Sequence, residues 1–187
     1  MKSQVALIIA VGGSMLLGAC ARSESGDTAS EEPAVMAGEA QPDTTGAAMW
    51  AYLQEVDYRS NWQVWPDKGE LYTGQVPHGM LLTTYLNDVA RRAVTTKAGS
   101  MPDGAIIIKE NYMPDSTLAA VTVMYKRFGY NAEHNDWFFT KHLPSGELDK
   151  TPSGMPMEGR LPGCQACHVA VRTNDYIFTS PLSEGDR

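Results

Sequence analysis

Five consecutive residues near the C-terminus, Cys164-Gln165-Ala166-Cys167-His168, have the types and spacing that hold a covalently bound haem. Two thiols three residues apart reach the two vinyl groups along one porphyrin edge. The imidazole directly after the second thiol then projects toward the iron from the proximal side. At ordinary abundances of cysteine and histidine, this pattern arises by chance on the order of once in a thousand chains of this size. Two other chemistries use paired cysteines. A redox dithiol belongs at a strand-to-helix turn early in a βαβ unit, and no such pattern precedes the pair. A zinc site needs further ligands, and the third cysteine, Cys20, is a distant single residue. The pattern reads as haem c on Cys164 and Cys167, with His168 as the iron ligand.

Position in the chain narrows the class. The common small electron-transfer cytochrome carries this motif near its start and takes an axial methionine from downstream. Here residues 169–187 contain no methionine, so such a ligand would come from upstream: Met80, Met101, Met113, Met124, Met155 or Met157. His78, His134 and His142 are the other candidates for a sixth ligand, and none has a pattern that singles it out. An iron with one protein ligand keeps a coordination position open for a small molecule.

The motif needs elements to position it. Apolar residues at 49, 53 and 56 predict a short amphipathic helix over 47–56. Residues 58–66 are aromatic and irregular, and 74–79 form a loop. Leu82, Leu86, Val89 and Ala93 share a helical face, which predicts a helix over 80–97 that Gly99 and Pro102 stop. The period then changes to two. Residues 105–110, 118–125 and 137–141 read as strands bounded by Gly, Pro and Asn-Asp signals, with a short strand at 176–178. Residues 144–162 carry several prolines and glycines and read as a long loop. Helices followed by antiparallel strands make an α+β fold, which also excludes the four-helix cytochromes with a late motif.

The N-terminus reads as an address. Lys2 precedes an apolar stretch over 5–17, too short to span a bilayer and suited to a secretory signal. It runs into Leu17-Gly18-Ala19-Cys20, which resembles a bacterial lipobox. The expected domains are a lipoprotein signal peptide over 1–19, a flexible acidic tether over 20–48 and a haem domain over 49–187. Cys20 is the expected lipidation site, holding the protein to a bacterial membrane through several acyl chains. Ala21 after the cysteine matches sorting to the periplasmic side of the outer membrane. The tether lacks aromatics and apolar periodicity, so it cannot offset its ordering entropy. A net charge of −7 excludes non-specific nucleic-acid binding, which needs a basic surface.

A set of ordered features then resembles the cytochrome P-460 family, which includes the cytochromes c′-β. They are the His78-Gly79 loop, Tyr85 and Asn87 on the following helix, and Pro102-Asp103-Gly104 leading into Ile106-Ile107-Ile108-Lys109-Glu110. Met124 and Lys126 with Gly129, then Trp137-Phe138, the late haem motif and residues 175–178 complete the set, over roughly 49–181. The resemblance implies an antiparallel sheet with packed helices, a homodimer, and a five-coordinate haem open to hydroxylamine or nitric oxide. It implies oxidation of one of these, with electrons passed to a periplasmic acceptor. Binding of nitric oxide without turnover, as in a cytochrome c′-β, and simple electron transfer are the alternatives. Family members that oxidise hydroxylamine bond a lysine to the porphyrin, and Lys109 aligns with that lysine. By strand alternation, Lys109 either leaves the core at a strand end or points into it. Glu158 is the candidate distal or proton-transfer carboxylate, against an exposed loop glutamate. Glu110, on the opposite strand face from Lys109, reads as structural. Phe128, Tyr130, Phe138 and Phe139 are candidate pocket walls.

Overall fold

β-Branched and aromatic runs pair into one antiparallel sheet in the computed structural model, which describes residues 41–185. Cys20, the signal segment and most of the expected tether lie outside the described residues. The strands are β1 (Gln63–Val64), β2 (Tyr72–Thr73), β3 (Leu81–Leu86), β4 (Ile106–Tyr112), β5 (Leu118–Lys126), β6 (Trp137–His142) and β7 (Glu158–Gly159). Their order is β1-β3-β4-β5-β6-β7, and β2 shares the outer edge of β3 with β1. The helices among the described residues are α1 (Gly46–Glu55), α2 (Tyr58–Asn61), α3 (Asp88–Thr95) and α4 (Pro162–His168), with 3-10 turns at Ala132–His134 and Val169–Asn174. The fold class is α+β, as the sequence predicts.

The pleat sorts side chains onto two buried faces. Ile106, Ile108, Val121, Val123, Tyr125 and Phe138 pack beneath Met49 and Leu53 of α1 and Tyr58 of α2. Leu86, Ile107, Trp137 and Phe139 pack on the other face beneath Ala90, Ala93 and Val94 of α3 and the C-terminal residues Leu161, Tyr176, Ile177 and Leu182. The three consecutive isoleucines of β4 are therefore buried on both sides. Each such side chain contributes roughly 1.5–3 kcal/mol of burial free energy.

Three sequence expectations are corrected here for physical reasons. The helix expected over 80–97 is a strand followed by a helix. Leu82 and Leu86 fit a helical stripe, but every residue from Leu82 to Leu86 is buried, which a strand between two layers achieves. Asn87 then starts α3. Its side-chain oxygen accepts the Ala90 and Ile106 N–H groups, both at 3.0 Å, and its amide donates to the Gly104 carbonyl at 2.8 Å. Tyr85 consequently sits on a strand rather than on a helix. The strand expected at 176–178 is also absent, because Asp175 and Tyr176 adopt left-handed φ values of 49° and 68°. The loop expected over 144–162 contains β7, which pairs with Phe139 and Thr140 of β6.

Glu110 is structural, as its strand face suggested. It is fully buried and accepts the Tyr58 hydroxyl at 2.7 Å, the Tyr112 hydroxyl at 2.5 Å and the Arg59 guanidinium at 2.5 Å. Burial, and then the Glu110 charge, push the Tyr58 phenol above its ordinary range, so it remains a donor. Glu110→Ala strands the Tyr58 hydroxyl and removes the partner of Arg59. The expected loss is about 3 kcal/mol in urea unfolding at pH 7.

Candidate functional site

The motif lies on α4. Leu161 is the extended cap residue, and Pro162 occupies the first helical position, where a missing N–H leaves no bond unmade. One helical turn separates Cys164 from Cys167, so both thiols leave the helix on neighbouring sides. Both are free thiols; Cys164 is half-buried against the apolar cluster and Cys167 is exposed. Burial, reinforced by Cys167, pushes the Cys164 thiol up. Between them Gln165 turns inward, and its amide nitrogen is buried without a hydrogen-bond partner among the described residues.

His168 closes α4 with its ring half-buried. Its Nδ1 lies 2.7 Å from the Tyr176 carbonyl. A carbonyl only accepts, so Nδ1 carries the proton and Nε2 keeps its lone pair. Three rings surround the imidazole, with centroids at 5.3 Å for Phe178, 5.9 Å for Phe139 and 6.3 Å for His78.

Lys109 reaches this place from the sheet. It alternates with Ile107 and Asn111 on the face that α4 covers, between Thr84 of β3 and Thr122 of β5. Lys141 lies opposite Thr122 on β6 but is bonded to Asp149 at 2.8 Å. Lys109 has no ion-pair partner among the described residues. Burial pushes its amine down to about 8. Of the two strand readings, the inward one holds.

His78 arrives from the loop before β3. A side chain at Gly79 would meet the Tyr112 backbone nitrogen at 2.5 Å, so glycine lets this loop lie directly on β4. The Asn111 amide donates to the carbonyls of Lys109 and Ala120, which leaves its oxygen to accept from Gly79 N–H and from His78. His78 is thereby a Nδ1–H tautomer with Nε2 available. Burial, followed by the Lys109 charge, pushes it down to about 4, so it is neutral at physiological pH. Burial is also the main cause that lowers His168, with Lys109 adding to it against the Tyr176 bond.

Other expected residues are elsewhere. Glu158 lies on the opposite sheet face, beside Thr140, and accepts the Gly46 N–H at 2.5 Å. Neither a distal carboxylate nor an exposed loop residue, it caps the start of α1, which satisfies an orphan helix N–H. Phe138 and Tyr130 pack on that same face, and Phe128 is 65% exposed. His142 is fully buried between Gly146 and Thr140, and His134 bonds the Tyr176 hydroxyl at 3.0 Å. Met157 packs into the core cluster, while Met155 is exposed. Phe178 and the Tyr176 carbonyl are the additions; the sequence marks residues 175–178 as part of the resemblance and 176–178 as a strand, without directing them at His168. A backbone acceptor has no residue type, and Phe178 reaches His168 only through the left-handed turn before it.

The family model described as Cytochrome P460 matches residues 56–179, from the end of α1 to just past Phe178. The chain belongs to the cytochrome P460 family. Membership makes haem and its iron the cofactor. A comparison with curated proteins found no match. The donor set of this cytochrome P460 chain suits that cofactor: two unpaired thiols one turn apart and an imidazole with a locked Nδ1 proton. Cys164, Cys167 and His168 would hold the haem. Lys109, His78, Phe139 and Phe178 would surround it.

Proposed function

We propose that this chain is an extracytoplasmic haem c protein with five-coordinate iron that oxidises hydroxylamine or nitric oxide. Electrons pass to a periplasmic acceptor. The observation that carries the reading is Lys109, an amine without an ionic partner on the buried face that His168 shares. Burying an unpaired amine costs folding free energy, so a functional role accounts for its retention there. When bound, the haem supplies an open iron position for the nitrogen compound and takes up its electrons.

The chain's own groups supply the rest. His168 presents Nε2 while its Nδ1–H remains fixed on the Tyr176 carbonyl. His78, neutral and with Nε2 free, accepts a proton that the substrate releases as it is oxidised. Where it is not bonded to the porphyrin, Lys109 would hold positive charge beside the nitrogen–oxygen group of the substrate. Phe139, buried against the His168 ring, limits water on that side, which strengthens each of these interactions. In the oxidising version of the site the Lys109 amine would instead bond a porphyrin carbon, one N–H and one C–H being lost to a two-electron oxidant such as peroxide. The protein acts as a homodimer.

The test is the optical spectrum of the ferrous protein together with hydroxylamine-dependent reduction of an artificial acceptor. A strongly red-shifted Soret band with turnover is the expected result. A normal five-coordinate spectrum, nitric oxide binding and no turnover would replace oxidation with gas binding. Sharp low-spin bands would instead make the protein an electron carrier.

The proposed location is the periplasmic side of the outer membrane, through lipid on Cys20. Cys20→Ser is expected to yield soluble protein or an uncleaved precursor, read by fractionation. A mature wild-type mass without acyl addition would remove the anchor.

A further inference from the structure

The carbonyl that holds the proximal histidine belongs to an unusual piece of backbone. Asp175 and Tyr176 are consecutive non-glycine residues in the left-handed region, which side chains disfavour. Such a turn persists only where its surroundings over-determine it. Here they do so through the Asp175 carboxylate. Lys126 donates to both of its oxygens, at 2.7 and 2.9 Å, and both side chains are almost fully buried. The Met101 N–H adds a bond at 2.7 Å and the Asn135 amide another at 2.9 Å. On the same residue, the Asp175 backbone carbonyl accepts the Trp137 indole N–H at 3.0 Å. The Lys126 ammonium lies over that same indole, 4.9 Å from its centre. Lys126 is itself anchored as the last residue of β5, opposite Trp137.

We infer that the buried Lys126–Asp175 pair is a positioning device for His168. It locks the 175–176 turn, aims the Tyr176 carbonyl at Nδ1–H, and so sets the orientation and basicity of the iron ligand. Neither residue touches substrate; both act through the Tyr176 backbone. A buried pair of this kind is weak as a source of stability, since desolvation offsets most of the attraction. It is well suited to specifying one geometry. A proximal imidazole whose Nδ1–H is firmly held is the more basic ligand, which favours ferric iron and lowers the reduction potential. The inference rests on His168 binding the haem, and it does not depend on which nitrogen compound reacts.

The experiment compares haem-loaded wild type with Asp175→Asn, Lys126→Met and Asn135→Ala. Glu110→Gln, which disturbs a buried network on the other sheet face, is the control. Two quantities are read: the exchange rate of the His168 Nδ1 proton by nuclear magnetic resonance of the ferric protein, and the midpoint potential. The charge-removing variants are expected to exchange this proton about tenfold faster, with the potential shifted upward. Asn135→Ala, which loosens the carboxylate without removing a charge, shifts both the same way by less. Glu110→Gln lowers stability and moves neither. Wild-type exchange and potential in folded Asn135→Ala and in either charge variant would overturn the inference. If Asp175→Asn does not accumulate, Lys126→Met and Asn135→Ala decide in the same way. A wild type without haem on His168 would overturn the cofactor reading and this one together, whereas unchanged variants of a haem-loaded wild type overturn this one alone.

Discussion

Replacing both motif cysteines, Cys164→Ala with Cys167→Ala, is expected to abolish covalent haem. A denaturing gel stained for haem should show a band for wild type and none for the variant. The reason is connectivity. In the proposed attachment each thiol forms one bond to the porphyrin, and the two lie one helical turn apart on α4. Alanine is a strong helix former, so α4 and His168 should stay in place and the protein should still fold. Haem that enters such a protein is held only through His168 and packing, and acid and solvent extraction removes it. A variant that keeps covalent haem would leave Lys109 as the remaining attachment, which peptide mass mapping identifies. Retention without a Lys109 adduct would sink the assignment of the motif.

The second large effect is expected from Lys109. Lys109→Ala should retain its haem, give an ordinary c-type spectrum and lose hydroxylamine oxidation by at least about 100-fold, in line with removal of a group that acts at the reaction site. The pH dependence has a definite sign. Burial lowers the amine to about 8, so the neutral form is about a tenth at pH 7 and half near pH 8. Bond formation by the amine uses the neutral form and, as an N–H and a porphyrin C–H are lost, a two-electron oxidant; with peroxide supplied, maturation of the modified haem should speed up as pH rises to about 8 and level off above it. Folding carries the opposite mark of the same shift. Below about 8 the native protein holds a buried cation that the unfolded chain hydrates freely, which lowers stability. Lys109→Met in the haem-free cysteine variant should therefore unfold at higher urea than its parent at pH 7. That advantage should fade between about pH 8 and pH 10. Identical spectra for wild type and Lys109→Ala, with no turnover in either, would end the enzymatic reading and leave gas binding.

Part of the site was legible in linear order. Cys164, Cys167 and His168 are spaced by the dimensions of a porphyrin edge, so five letters carry the chemistry. Period-two alternation separates Lys109 from Glu110, and β4 places them on opposite faces. The residues around the imidazole were not legible. Glu158 lies six residues before Cys164, yet it caps α1 on the far face because β7 pairs with β6 in a register that turns it there. His78 lies ninety positions from His168 in the chain, and only the approach of a glycine loop to β4 brings the rings to 6.3 Å.

By itself, the sequence determined the composition of the haem motif, the α+β class, the strands β4, β5 and β6 and the family. Those depend on spacing and periodicity, which are local properties of the chain. Tertiary structure alone decided that residues 81–86 form a strand, since burial on both faces overrides a helical stripe. It also decided that His168 is held by the Tyr176 carbonyl, and that Lys126 and Asp175 stand behind that carbonyl. Hydrogen-bond partners and desolvation depend on distances between segments far apart in sequence. Their effects on Lys109, His78 and His168 follow from packing, which no residue type announces.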